Sequence, residues 1–219
     1  FTQKDRTGAA KIVGSSLKTA ALLAFPSGIG MLVLGKPIVQ LLFPGLDADI
    51  AGTILSILGI ANIFVCLMLV ATSVLQAYNI LSLPIFTMLA GGVVMVLFDY
   101  FMVGTVRFNI YGSPVGTCLC FGLTCALDLH LVRRAVPGCP GYAQLFGKTL
   151  AASIIMGAAA WAVYGLTSHI IGVKLAVIVA ILLAVALYAI LLVLLQVLTK
   201  DDLSLMPKGD KIAKLLHIH

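Results

Sequence analysis

The sequence predicts an all-α, polytopic membrane helix bundle with six transmembrane helices, and three observations carry that prediction. Of the 219 residues, 61% are hydrophobic and 10% are charged, whereas a soluble domain clothes its surface with roughly 25% charged residues. From Ile50 to Phe98, 49 residues pass without a Lys, Arg, Asp, Glu or His. As a single helix that run would reach about 74 Å, against a bilayer core of ~30 Å. The cationic residues, finally, gather in alternate loops, as they do in membrane proteins. A secretory leader is one short segment and does not explain apolarity spread over the whole chain. The first residue is Phe1, and the expectation is a piece of a longer protein.

Six segments approach the ~20 apolar residues that a bilayer crossing requires: 17–34, 51–76, 83–104, 111–131, 146–167 and 174–198. The first contains Pro26, Gly28 and Gly30, which predict a kink near mid-membrane and make these three the hinge candidates. After it, "GKPIVQLLFPG" (residues 35–45) reads as a short interfacial helix ended by Pro44 and Gly45. The uncharged run must double back, and Tyr78, Asn79, Ser82 and Pro84 form its turn cluster. Pro84 suits the first turn of a new helix, where its missing N–H costs nothing. The fourth segment places Gly112 and Gly116 four apart, and the fifth does the same with Ser153 and Gly157. Small residues at that spacing let helix backbones approach closely.

Lys4, Arg6, Lys11, Lys18, Arg133, Arg134, Lys148, Lys200, Lys208, Lys211 and Lys214 fall on one predicted side, and Lys36, Arg107 and Lys174 on the other. Eleven against three puts both termini in the cytoplasm of a multi-pass cell-membrane protein. The net charge of +6 is thereby topological, and no nucleic-acid partner is expected. The tail opens with a capping box at Thr199 and Asp202. It closes with Ile212, Leu215 and Leu216 on one face beside Lys211 and Lys214, an element suited to the membrane surface.

Asp99 is the most informative single residue, because a carboxylate within a span costs ~2.5–3.5 kcal/mol at the centre and less near the interface. Two readings stand open: a group that faces a water-filled path or binds a cation or substrate, or one that reaches the outer headgroups or pairs with Arg107 in the next loop. Asp128 lies near Arg133 and Arg134, and pairing with them at the cytoplasmic face is its expected fate. Gln76 and Asn79 end the second span; they are path candidates whose amides can equally cap the helix. The five cysteines form no CxxC pair and suggest neither a disulfide framework nor zinc. No catalytic triad, phosphate-cradling loop or metal motif is present, so no enzyme, cofactor or metal is expected.

Three stretches, "VATSVLQAYNILSLPIF", "LFDYFMVGTVRFNIYGSPVGT" and "LTKDDLSLMPKGDKIAKLL", resemble the later half of stage V sporulation protein B-like polysaccharide-biosynthesis transporters. That family lies within the multidrug/oligosaccharidyl-lipid/polysaccharide exporter superfamily. The resemblance implies a fourteen-helix flippase moving a lipid-linked oligosaccharide or cell-wall or spore-cortex precursor by alternating access. The six spans would be its ninth to fourteenth helices, and the earlier helices of the same protein, membrane lipid and the lipid-linked sugar would be the partners. In those terms residues 1–16 form a cytoplasmic arm and 17–133 the four-helix part of a C-lobe. Residues 134–199 would hold the final two helices with their preceding loop, and 200–219 the amphipathic tail. The last two spans, almost purely apolar, would shape a groove for the lipid chain. Family members often carry an amide before the aromatic where this chain has Asp99-Tyr100. A cation-coupled multidrug exporter of the same fold and a non-transporting membrane scaffold are the alternatives.

Overall fold

A computed structural model describes residues 3–103, 109–139 and 141–195. Within them the chain is six helices: α1 (Gln3–Leu42), α2 (Ala48–Ala77), α3 (Ser82–Val103), α4 (Asn109–Ala135), α5 (Tyr142–Ile171) and α6 (Val173–Leu194). All six contain a stretch long and apolar enough to cross a membrane. No strand occurs among the described residues, as expected where backbone groups must be satisfied without water.

The first span differs from its prediction. α1 runs unbroken for 40 residues through both Pro26 and Pro37, roughly 60 Å at helical rise, and so absorbs the predicted arm and the predicted interfacial helix. It ends where expected, since Pro44 and Gly45 lie in the turn that follows. There Asp47 caps α2, its carboxylate accepting the backbone N–H of Asp49 at 2.9 Å and of Ile50 at 3.4 Å.

The predicted reversal between α2 and α3 is present, and its geometry explains the residues chosen. Asn79 N–H donates to Gln76 O, Ile80 N–H donates to Leu75 O, and Asn79 has φ 63°. This is a Schellman ending with the left-handed position filled by Asn, the side chain after Gly that best tolerates it. Pro84 sits in the first turn of α3. Between α5 and α6 a single residue, Gly172 at φ 80° and ψ 155°, turns the chain through a conformation open essentially to glycine alone.

α1 packs against α2, α5 and α6; α2 packs also on α4, α4 on α3, and α5 on α6. The helices thus lie in the order α3, α4, α2, α1, then the α5–α6 pair, with α3 at the edge. Glycines set the central contact. A Cβ on Gly28 would stand 2.6 Å from Gly59 O, and one on Gly59 would stand 2.7 Å from Gly28 O. One turn pair further on, Gly35 and Gly52 repeat the arrangement against Gly52 O and Lys36 Cα. Gly28 is therefore a packing residue, whereas nothing lies within 4 Å of a Cβ on Gly30. Gly157 meets Ile29 of α1, which gives the small face of α5 its partner. The tail, with Thr199 and Asp202, lies outside the described residues.

Candidate functional site

Asp128 departs furthest from expectation. Its neighbours on α4 include Thr124, four residues earlier and so on the same helix face. α2 contributes Thr72 five residues before its last residue, and α3 contributes Thr87 five residues after its first. The three helices thus bring these side chains to one depth, about 8–10 Å in from the helix ends. Asp128 is completely buried there. The Thr72 hydroxyl donates to Asp128 Oδ2 at 2.8 Å, and Thr87 Oγ1 lies 2.6 Å from Asp128 Oδ1. Thr87 Oγ1 also lies 2.9 Å from Pro84 O. The Thr124 hydroxyl donates to Cys120 O at 2.9 Å and stands 3.4 Å from Thr87 O.

The expected pairing with Arg133 and Arg134 is not made: both arginines are exposed, and among the described residues no ion pair to Asp128 is found. Helical geometry accounts for this. Residues five and six positions on point away from the face that residues three and four positions on would share. The threonines at 72, 87 and 124, polar residues inside apolar runs, were the signal that sequence reasoning passed over.

Asp99 occupies the opposite end of the same α3–α4 interface. The two helices run antiparallel in constant register, Thr87 beside Asp128, Gly91 beside Thr124 and Asp99 beside Gly116. A Cβ on Gly116 would overlap Asp99 Oδ1, so glycine makes room for the carboxylate. That oxygen is buried and has no hydrogen-bond partner among the described residues. Arg107, the predicted partner, lies outside them.

The other candidates have separate locations. Gln76 and Asn79 are exposed at the α2–α3 turn, where their backbone groups close the helix end. Pro26 cannot donate to Leu22 O, the acceptor its position would serve in a regular helix. The Tyr188 hydroxyl of α6 donates to that carbonyl at 2.9 Å. One turn away, Asn62 Nδ2 of α2 donates to Ser27 Oγ at 3.1 Å. The hinge candidate is thereby stitched to helices on both sides of α1.

No group of three His, Cys, Asp or Glu side chains able to hold a metal occurs among the described residues. Along the outer face of α3 runs an apolar groove of about 620 Å³, lined by Ile85, Met88, Leu89, Val93, Val96 and Leu97 around Gly92. Comparison with family models, with curated proteins and with solved structures finds no match.

Proposed function

We propose that this chain is the later part of a membrane flippase of the polysaccharide-biosynthesis type. It moves a lipid-linked oligosaccharide, or a cell-wall or spore-cortex precursor, across the cell membrane by alternating access, with both termini cytoplasmic. The observation that carries the reading is the treatment of Pro26. The most surrounded helix of the bundle has a missing hydrogen bond at mid-span, and a side chain from α6 supplies it. A tyrosine able to engage or release one carbonyl would let α1 take up a second arrangement, which is what a rocking helix needs. The basic side of the bundle and the three stretches that resemble the sporulation-type transporters support the same reading.

Vesicles carrying the full-length protein test it. The expected result is faster inward movement of a fluorescent polyprenyl-pyrophosphate sugar than in protein-free vesicles, and slower movement for Pro26→Ala. Equal rates in all three would overturn the proposal. The cation-coupled exporter is favoured by one observation, the buried oxygen of Asp99 that has no hydrogen-bond partner among the described residues. Dye export that requires a sodium or proton gradient and disappears in Asp99→Asn would select it instead.

A further inference from the structure

We infer that the outward seam between α1 and α2 lines a water-filled recess, entered from the basic end of the bundle and ending at Ser27 and Asn62. Asn62 is the fifteenth of the 30 residues of α2, the middle of that span. Its side chain is nevertheless only half-buried, and its bond to Ser27 lies at the surface. Asn62 Nδ2 donates to Ser27 Oγ at 3.1 Å, while Asn62 Oδ1 has only the Cys66 thiol, a weak donor, at 3.9 Å. The amide therefore keeps an N–H and most of its carbonyl for a further polar group, at a depth where lipid offers none.

The faces that meet lipid are different. Leu89, Val93 and Val96 of α3 and Leu182 and Val185 of α6 are exposed, and neither helix exposes a polar side chain over 83–98 or 175–194. The α1–α2 seam does. Eleven residues from Ser27 and from Asn62, about three helical turns, the same face presents Ser16 and Ser73, both exposed, with Gln76 one turn further on. The two helices run antiparallel with Gly28 beside Gly59, so Ser16 and Ser73 stand together. They lie towards the end of the bundle that holds Arg133 and Arg134, because Thr72 of α2 bonds Asp128 of α4 there. Three turns the other way, the matching positions are Ile38 and Ala51, both apolar. Polarity thus extends from one end to mid-span and stops.

Water fits this lining better than lipid or an ion. A half-used amide held against hydrocarbon costs free energy, and the seam is uncharged: α1 has no charged residue from 19 to 35, and α2 has none after Asp49. The solute such a recess takes is an uncharged, hydroxyl-rich group such as a sugar ring, whose hydroxyls exchange bonds with the Asn62 amide and with Ser27. That solute assignment rests on the flippase reading; the recess does not.

Cysteine accessibility in vesicles of the full-length protein tests the recess. A charged methanethiosulfonate reacts with thiolates, which form in water and not in lipid, and peptide mass spectrometry reads each introduced site apart from the native cysteines. Ser16→Cys, Ser73→Cys and Asn62→Cys should be modified, and Leu89→Cys and Leu182→Cys should react at least about tenfold more slowly. Should Asn62→Cys fail to fold, Ser27→Cys reports the same depth. Either of these two reacting as slowly as Leu89→Cys would overturn the recess, because that face would then meet lipid or a further helix. Asn62→Leu should slow movement of the sugar lipid by up to about tenfold, the loss of one hydrogen bond. Wild-type movement that Asn62→Leu leaves unchanged would overturn the solute assignment alone. A labelled recess without any wild-type movement would overturn the flippase reading and leave the recess standing.

Discussion

Helices α1 and α3 are both apolar and both join neighbours through glycine, yet they are held in different ways. α1 has α2 on one flank and α5 and α6 on the other, and it is far more buried than α3. Lipid tails are as apolar as leucine, so in a bilayer side-chain burial alone gives little reason for two helices to associate. α1 answers with shape: its paired glycines against α2 bring backbones close enough for dispersion over a long seam. α3, nearly bare, has extensive contact with α4 alone and adds polar bonds, with Thr87 on Asp128 at one end of a seam that Gly91 tightens. Close packing holds the centre of the bundle, and hydrogen bonds hold its edge.

The largest effect should come from filling the central seam. At Gly59 an added Cβ would meet Gly28 O at 2.7 Å, Leu32 N at 3.0 Å and Met31 Cβ at 3.0 Å, atoms that move only if α1 moves. Gly59→Ala should cost about 1–3 kcal/mol, and Gly59→Leu should abolish the monodisperse folded species on size-exclusion chromatography in detergent. Gly30→Ala is the matched control. With nothing within 4 Å of the new methyl, it should be neutral or gain up to about 1 kcal/mol from helix propensity. If Gly30→Ala damages folding as much as Gly59→Ala does, the seam is not what holds α1.

The same contrast explains what could be read from the sequence. Span number, span type and the position of the α2–α3 turn were legible, because long apolar runs and the Tyr78–Pro84 cluster are local signals. The continuity of α1 was not: the short interfacial helix expected over 35–45 is the end of α1 itself, and a distant tyrosine, Tyr188, supplies the bond that Pro26 removes. Gly28 and Gly30 look alike in sequence and differ entirely in surroundings. Asp128 was assigned to the nearest arginines along the chain, but its partners come from α2 and α3, 56 and 41 residues away. Asp99 was legible as unusual; its place against Gly116 depends on the α3–α4 register, which no local pattern announces.

A smaller effect, of about 1 kcal/mol or less, is expected where α1 does rely on a polar bond. Tyr188→Phe removes the donor to Leu22 O and should lower stability by the ~0.6 kcal/mol that bonds between membrane helices average. Pro26→Ala returns a backbone N–H to that carbonyl, making the tyrosine redundant. In the Pro26→Ala background, then, Tyr188→Phe should cost almost nothing, and a double-mutant cycle by denaturant titration should show a coupling equal to the single-mutant loss. Additive losses would mean that Tyr188 acts by packing, and α1 would be held by shape throughout.

The smallest effect belongs to Asp99, and it separates the two ends of the α3–α4 seam. Asp128 accepts or gives hydrogen bonds through both oxygens, so deleting its side chain would strand two threonine hydroxyls. Asp99 Oδ1 makes none among the described residues, and replacing a group that makes no bond forfeits no bond. Asp99→Asn keeps the volume that Gly116 accommodates. Its melting temperature, followed by circular dichroism, should therefore stay within about 2 °C of the wild type. A fall several times larger would mean that the carboxylate has an ionic partner, with Arg107 in the adjoining loop the residue to substitute next. In that case the edge helix would be secured by charge at one end and by threonine hydrogen bonds at the other.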